Sequence, residues 1–440
     1  VWRPQFDQIL LENSRKHGVD VREGHRVSEV LFDGDRVTGA RFTSEAGEGI
    51  ARTRHFVDAT GKVGLLGRSL KLRQADPEFR NLAIYGYFSG GKKLAGEAEN
   101  NIFIESYKQG WAWTIPLHTG VHSVGLVIDA ERAQEAIQRD GPEEAYHRQL
   151  AMAPRTSAML ADASLEAGPI IIRDWSYLSE RVAGEGWVLA GDAACFIDPL
   201  FSSGVHLALS AGVMAAAYVT TALKQPEIAT AAGEAYQQLY YQQYGHFREL
   251  ARLFYGSNRS VDSYFWEARQ ILDDEWSTPR EAFIRGVAGQ PPQGYERVVI
   301  ARGDAPRAFT GQVEALESER ARRTRQMAAL VEGAASGGPL WQAIPRLAAG
   351  VCVERRAVLG EGEFEMGLVV ARGSEDPGTP VSGLVAKLVA LADGQHSVAQ
   401  IVAELTAGLD PEAARKAIPA ALGALRILYV DGSIEALEGV

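Results

Sequence analysis

Apolar positions along the chain keep three rhythms. From Pro4 to His17 they fall at helical spacing, with Phe6, Ile9 and Leu10 on one face that leads to Val19, and Gly18 closing the run. From Val19 to Asp58 the period drops to two: VDVREG, RVSEVLFDGDRVTGARF and RTRHFVDATG alternate, with Asp33-Gly34-Asp35 as a hairpin turn. This predicts a small antiparallel layer returning to a buried strand, His55–Ala59. Residues 82–129 alternate again, in LAIYGYFSG, NIFIES, GWAWTIPL and HSVGLVID, and predict a β-meander turning at Gly90-Gly91 and Thr119-Gly120. A helical stretch, about Ala130–Leu160, and a strand, Ile170–Ser176, follow.

The third rhythm is near-continuous apolarity from Trp187 to Leu223. It reads as a buried strand (Trp187–Ala190), a tight Gly191-Asp192 turn, a loop through Pro199 and a long helix from near Ser203. A helix start turns free N–H groups and the positive end of its dipole towards that loop, which suits an anionic or electron-rich cofactor. Gly204 has no Cβ to keep a ligand away. Val205–Leu223 is long enough to span a bilayer. It contains His206, Ser210, Gly212 and two threonines and lacks flanking Lys/Arg asymmetry, so it is read as a buried core helix and no membrane span is expected.

Residues 211–285 are patterned as helix and rich in aromatics, including Tyr255 and Trp266. Ala308–Val331 is an amphipathic helix whose Arg320, Arg322, Arg323 and Arg325 read as a solvated face. After a Gly-rich link, Gly333–Gly338, short strands are expected over 345–374. Helices Val381–Leu391, Val398–Thr406 and Pro411–Leu425 and a strand Ile427–Asp431 then complete a winged-helix-like tail. Ser397 with Gln400 forms a capping box, and Asp410-Pro411 a cap with proline at the first helical position. By pattern the tail resembles small modules that bind peptides or carrier proteins; it has no basic recognition helix for DNA.

Length and charge narrow the picture. At 440 residues the chain exceeds one ordinary core. A net charge of −11 argues against nucleic acid and anionic membranes as main partners. Cys195 and Cys352 alone make no disulfide framework, which fits a reducing cytoplasm, and no metal site is expected.

Asp58-Ala59-Thr60-Gly61, taken alone, is a tight turn at a strand end. Combined with Gly191-Asp192 and with Arg3 near Phe6-Asp7, it resembles FAD-dependent oxidoreductases of the glutathione-reductase type, in which the Gly-Asp carboxylate binds the flavin's ribityl hydroxyls. Gly110-Trp111-Ala112-Trp113-Thr114-Ile115-Pro116 resembles the WxWxIP motif of flavin-dependent halogenases at all four fixed positions. Asp198–His206, DPLFSSGVH, is similar to that family's loop before the isoalloxazine. An indole pair at i, i+2 is also common in cores; the Ile-Pro offset makes chance a poor account.

The resemblance implies an α/β + α architecture. It comprises a glutathione-reductase-type FAD-binding fold without its first βαβ unit (1–81, returning at 177–230), an antiparallel substrate-domain sheet with helix (82–176), a helical region (231–335) and a small winged-helix-like C-terminal domain (336–440). It implies FAD contacts from Arg3, Asp58, Thr60, Gly61, Gly191, Asp192, Pro199, Gly204 and Val205. Trp111, Trp113, Ile115 and Pro116 take the catalytic motif's place, and the N–H groups of Ser203 and Gly204 form a halide nest. Phe201 and His206 fall in the substrate pocket. In the family, FADH2 from a separate reductase reacts with O2 to a C4a-hydroperoxide, chloride or bromide attacks it, and hypohalous acid travels past the indoles to the substrate.

The tryptophan-halogenating branch has an acidic residue where Phe201 stands. The departure points to phenols, pyrroles or activated carbons, free or tethered to an acyl or peptidyl carrier protein. The family's Gly-x-Gly-x-x-Gly loop and catalytic lysine do not occur; neither Lys62 nor Lys108 stands where that lysine does. About 100 residues are therefore expected to precede Val1, since a first βαβ unit takes roughly 30 and the lysine lies beyond it. The fragment is expected to bind FAD poorly and to be inactive. Two alternatives compete: a hydroxylase or reductase on the same scaffold, and a carrier- or peptide-binding module in which Arg320 and Arg323 grip an acidic partner.

Overall fold

The computed structural model describes residues 2–77, 79–173, 176–256, 307–331, 338–373, 376 and 378–440. The chain divides into two compact units, Val1–Ala215 with Tyr240–Val298, and Ala216–Leu239 with Val299–Val440. Two of these boundaries fall within the long helices Gly204–Lys224 and Ala229–Gly256.

In the first unit the helix Arg3–Lys16 forms as expected, with Pro4 in its first turn, but buries no residue; Ile9 is 66% exposed. The Asp33-Gly34-Asp35 turn joins Arg26–Asp33 to Arg36–Ser44, and Gly47–Arg52 completes a three-stranded antiparallel layer. Phe56–Asp58 pairs in parallel with Trp187–Leu189, which brings Asp58 beside Leu189. Only the Asp58 end of that strand is buried, because Val57 is 46% exposed.

The large sheet corrects the simple meander. Phe103–Tyr107, Gly110–Pro116 and His122–Asp129 pair in succession, but Asn81–Ser89 pairs with His122–Asp129, and Ser164–Ile172 adds outside it. Side-chain burial explains the order: it lines up Leu82, Ile84 and Phe88 with Val124, Leu126 and Ile128 in one core with Tyr146 and Leu150. The helical stretch behind this face breaks into Ala130–Asp140, Pro142–Ala151 and Pro154–Met159, each break marked by proline. Buried Glu105 ties the last of them to the sheet, accepting from Arg155 N–H (3.0 Å), Thr156 N–H (2.6 Å) and Thr156 Oγ1–H (2.7 Å).

The long helix Gly204–Lys224 is apolar but not buried all round, which corrects the core-helix expectation. Leu207, Ala211 and Met214 are buried, whereas Leu209 is 50% and Val213 70% exposed. It is the one helix among the described residues long and apolar enough to cross a membrane by length and composition. The side chain of Tyr255, and Trp266 and Gly333–Gly337, lie outside the described residues.

The second unit packs the helix Arg307–Val331 with Gly383–Leu391, Val398–Thr406 and Pro411–Val430 around Met327, Leu388, Ile401, Leu425 and Ile434. Its strands are Ile344–Leu347 paired with Ile434–Glu438, and a sheet of Val351–Leu359, Phe364–Arg372 and Thr379–Val381. The Ser397–Gln400 capping box forms, and Asp410 caps the N–H groups of Glu412 and Ala413 at 2.9 Å. The strand expected at Ile427–Asp431 is instead the last turn of helix. Leu425, Leu428 and Tyr429 continue the buried face, and the strand starts only after Gly432 (φ 86°).

The arginine row is not wholly solvated either. Arg323 donates to Tyr429 O (2.9 Å) and Ile434 O (2.8 Å), pairs with Glu319 and lies over the Tyr429 ring. Arg320 pairs with Asp431 at 3.4 Å. Arg323 therefore closes the end of its own helical unit, which weakens the idea that it grips a partner.

Candidate functional site

Parallel pairing of Phe56–Asp58 with Trp187–Leu189 places two acidic turns at the same carboxyl edge, and Ala190 N–H donates to Asp58 O at 2.9 Å. The two turns differ chemically. Asp58 is fully buried, and its carboxylate accepts from Thr60 N–H (3.0 Å), Thr60 Oγ1–H (2.6 Å) and Leu66 N–H (2.7 Å). It fastens Thr60, Gly61 and the short helix Leu65–Ser69, and has little acceptor capacity left. Asp58 thus shapes the turn more than it offers oxygens to a ligand.

Asp192 is half-buried, and within the described residues no donor of the chain reaches its carboxylate. Burial pushes its pKa up, and the charges of Arg3 and Arg73 pull it partly back. Arg3, though paired with Asp7 at 3.0 Å, is therefore electrostatically in range of this carboxylate.

The Asp198–His206 loop closes the site from the other side. Asp198 caps Leu200 N–H at 2.9 Å, and Ser202 takes a left-handed conformation (φ 52°) that turns the chain into the helix. Gly204 begins that helix, and a Cβ added there would lie 3.9 Å from Asp192 Oδ1. The helix start thus faces the carboxylate. Within the described residues the N–H groups of Ser203 and Gly204 donate to no acceptor of the chain, as expected of a first turn. Phe201 is buried (3% exposed), Pro199 opens the capped turn, and Val205 and His206 are exposed; the His206 ring meets Phe247 edge-on at 5.8 Å.

Trp111, Trp113, Ile115 and Pro116 lie in the five-stranded sheet. Trp111 and Trp113 stand on the face opposite the helices, with ring centroids 5.8 Å apart, and Tyr85 lies 6.0 Å from Trp113. Trp111 is enclosed at 2% exposure; Trp113 is half-buried.

Three residues not singled out in the sequence hold the two turns. Arg73 donates to Lys62 O at 2.9 Å and stacks 3.8 Å from the Tyr177 ring centroid. Tyr177 O–H donates to Asp192 O at 2.6 Å, and Tyr240 O–H to Gly191 O at 2.8 Å. Their only sequence signal is apolar or alternating context, because their partners lie far along the chain. Cys195 is buried and its pKa pushed up to about 12, so it is no reactive thiol.

These residues fit FAD. An ionisable carboxylate lacking donors suits two ribityl hydroxyls, and unpaired helix-start N–H groups suit a negative ligand edge or a halide.

A family model described as "Tryptophan halogenase" matches residues 3–317. The chain is 39% identical over 282 residues to a tryptophan 2-halogenase of Chondromyces crocatus, covering 62% of this chain and 53% of the relative. The structure of the myxobacterial chondrochloren halogenase CndH is 38% identical, with a TM-score of 0.57, and covers 68% of this chain and 72% of that one. The flavin-dependent halogenase CmlS, at 24% identity and a TM-score of 0.67, shares the fold over 98% of this chain and 77% of its own. The chain spans about half the length of the curated relatives it matches.

Proposed function

This chain belongs to the flavin-dependent halogenase family, and from that premise we propose that the protein holds FAD, delivered reduced by a separate reductase, at the two acidic turns and halogenates an electron-rich small molecule. The observation that supports this most is the half-buried Asp192 carboxylate, without a donor among the described residues and facing a helix start. Bound reduced FAD, with O2, supplies the oxidising power for chloride or bromide. Asp192 accepts the ribityl hydroxyls, Thr60 and Gly61 shape the neighbouring turn, and the N–H groups of Ser203 and Gly204 hold halide. Trp113, half-buried beside enclosed Trp111, walls the substrate from the flavin while a small oxidant passes.

For the substrate, Phe201 brings no carboxylate for an ammonium group. A phenolic, pyrrolic or activated carbon is favoured over a free amino acid, whether the substrate is free or carrier-bound. The Chondromyces crocatus relative has tryptophan in its name, so tryptophan belongs in the test. Mass spectrometry of reactions of the full-length protein with a reductase, chloride or bromide, candidate phenols and tryptophan decides. A halogen isotope pattern on a phenol is the expected result. Halogenated tryptophan would overturn the substrate class, and a gain of one oxygen would overturn halogenation itself.

A further inference from the structure

We propose that Gly125 and Ser123 are positioning residues that lay the Trp113 indole flat across the five-stranded sheet and thereby set the wall of the site. The second half of this rests on the wall role proposed above; the first stands on geometry alone. Trp113 and Gly125 are directly paired on adjacent strands, so their side-chain positions share a face. A Cβ at Gly125 would stand 2.5 Å from Trp113 Cε2 and closer still to Cζ2 and Cη2. The indole occupies the volume that any side chain at 125 would need. A glycine inside a strand weakens it, unless something must approach the backbone closely, as this ring does.

Ser123 fixes the ring's rotation. It is two residues along the same strand on the same face, and its Oγ accepts from Trp113 Nε1–H at 3.3 Å. Held so, the indole lies 5.8 Å from Trp111 at 49° and 6.0 Å from Tyr85 at 38°. A methyl group at 125 would push the ring off the sheet, out of reach of Ser123 and towards the open side of the face.

Two indoles at this distance and angle couple their electronic transitions, so the far-ultraviolet circular dichroism carries a couplet that Trp113→Phe removes. The wild-type minus W113F difference spectrum isolates it in the chain without any ligand. Gly125→Ala should lose most of the couplet, Ser123→Ala part of it, and Ser123→Thr should restore it. The fall in Tm caused by G125A should vanish in a Trp113→Ala background, where no ring competes for the space. A G125A chain that keeps the couplet, or an equal Tm loss with and without the indole, overturns the positioning role. Should G125A fail to fold, the S123A and S123T spectra decide the same point. If the couplet collapses while the ratio of halogenated to oxygenated product is unchanged, the positioning stands and the wall role falls.

Discussion

Asp58 and Asp192 sit at the carboxyl ends of two parallel neighbours, Phe56–Asp58 and Trp187–Leu189, yet the chain uses their carboxylates in opposite ways. Asp58 is fully buried and accepts three donors from Thr60 and Leu66. Asp192 is half-buried and, within the described residues, receives no donor from the chain. A buried carboxylate with three donors is part of the fold, because removing it strands those donors. A desolvated carboxylate without donors is a cost to the fold that an incoming ligand can relieve. The lesson is that acidity at a strand end does not make a ligand site; unspent hydrogen-bonding capacity does.

The largest test removes the member that accepts three donors. Asp58→Ala leaves two N–H groups and a hydroxyl unpaired and should lower stability by about 3 kcal/mol, read by urea denaturation. Asp192→Asn should move stability by less than about 1 kcal/mol. Its effect should appear instead in the FAD affinity of the full-length protein, about tenfold weaker once charge-assisted bonds become neutral ones, measured by flavin fluorescence titration. If Asp192→Asn unfolds the chain while Asp58→Ala is silent, the contrast is reversed and the site assignment fails with it.

Acidity sharpens the contrast further. The folded state raises the pKa of Asp192, so its proton favours folding at low pH and that contribution is lost as pH rises through the folded value. Flavin binding, which needs the carboxylate ionised, should run the other way and weaken as pH falls through the same value. Asp192→Asn should flatten this dependence. Charges and titrating groups around the carboxylate include Arg3, Arg73, Tyr177 and Cys195, so the profile is to be compared between the two chains rather than assigned from the wild type alone.

An effect confined to acid pH comes from His55, beside the Asp58 strand. Burial, with help from Arg36, lowers its pKa from 6.5 to about 4. It is neutral in the fold where the unfolded chain would take up a proton, so its contribution to stability is lost as pH falls from 6.5 towards 4. Tm should drop more steeply over that interval in the wild type than in His55→Gln; equal slopes would remove His55 from the account.

Much of this was legible in the residues. The Gly191-Asp192 turn follows a buried apolar run and precedes a long helix, and the structure places both elements there. The fate of Asp58 was not legible, because one of its donors, Leu66 N–H, arrives from a helix eight positions on. Trp111 and Trp113 were found by motif, but the space beneath Trp113 comes from Gly125, whose role exists only once the two strands pair.

By itself the sequence determined what depends on neighbours along the chain. The Asp33-Gly34-Asp35 hairpin, the Ser397–Gln400 box, the Asp410 cap and the period-two strands all follow from local sterics and hydrogen bonding. The tertiary structure decided what depends on distant partners. It paired Asn81–Ser89 with His122–Asp129, carried the last helix through Val430, turned Arg323 inward and left Asp192 without a donor among the described residues. The reason is physical: burial and the satisfaction of polar groups are properties of the assembled core, and no single segment carries them alone.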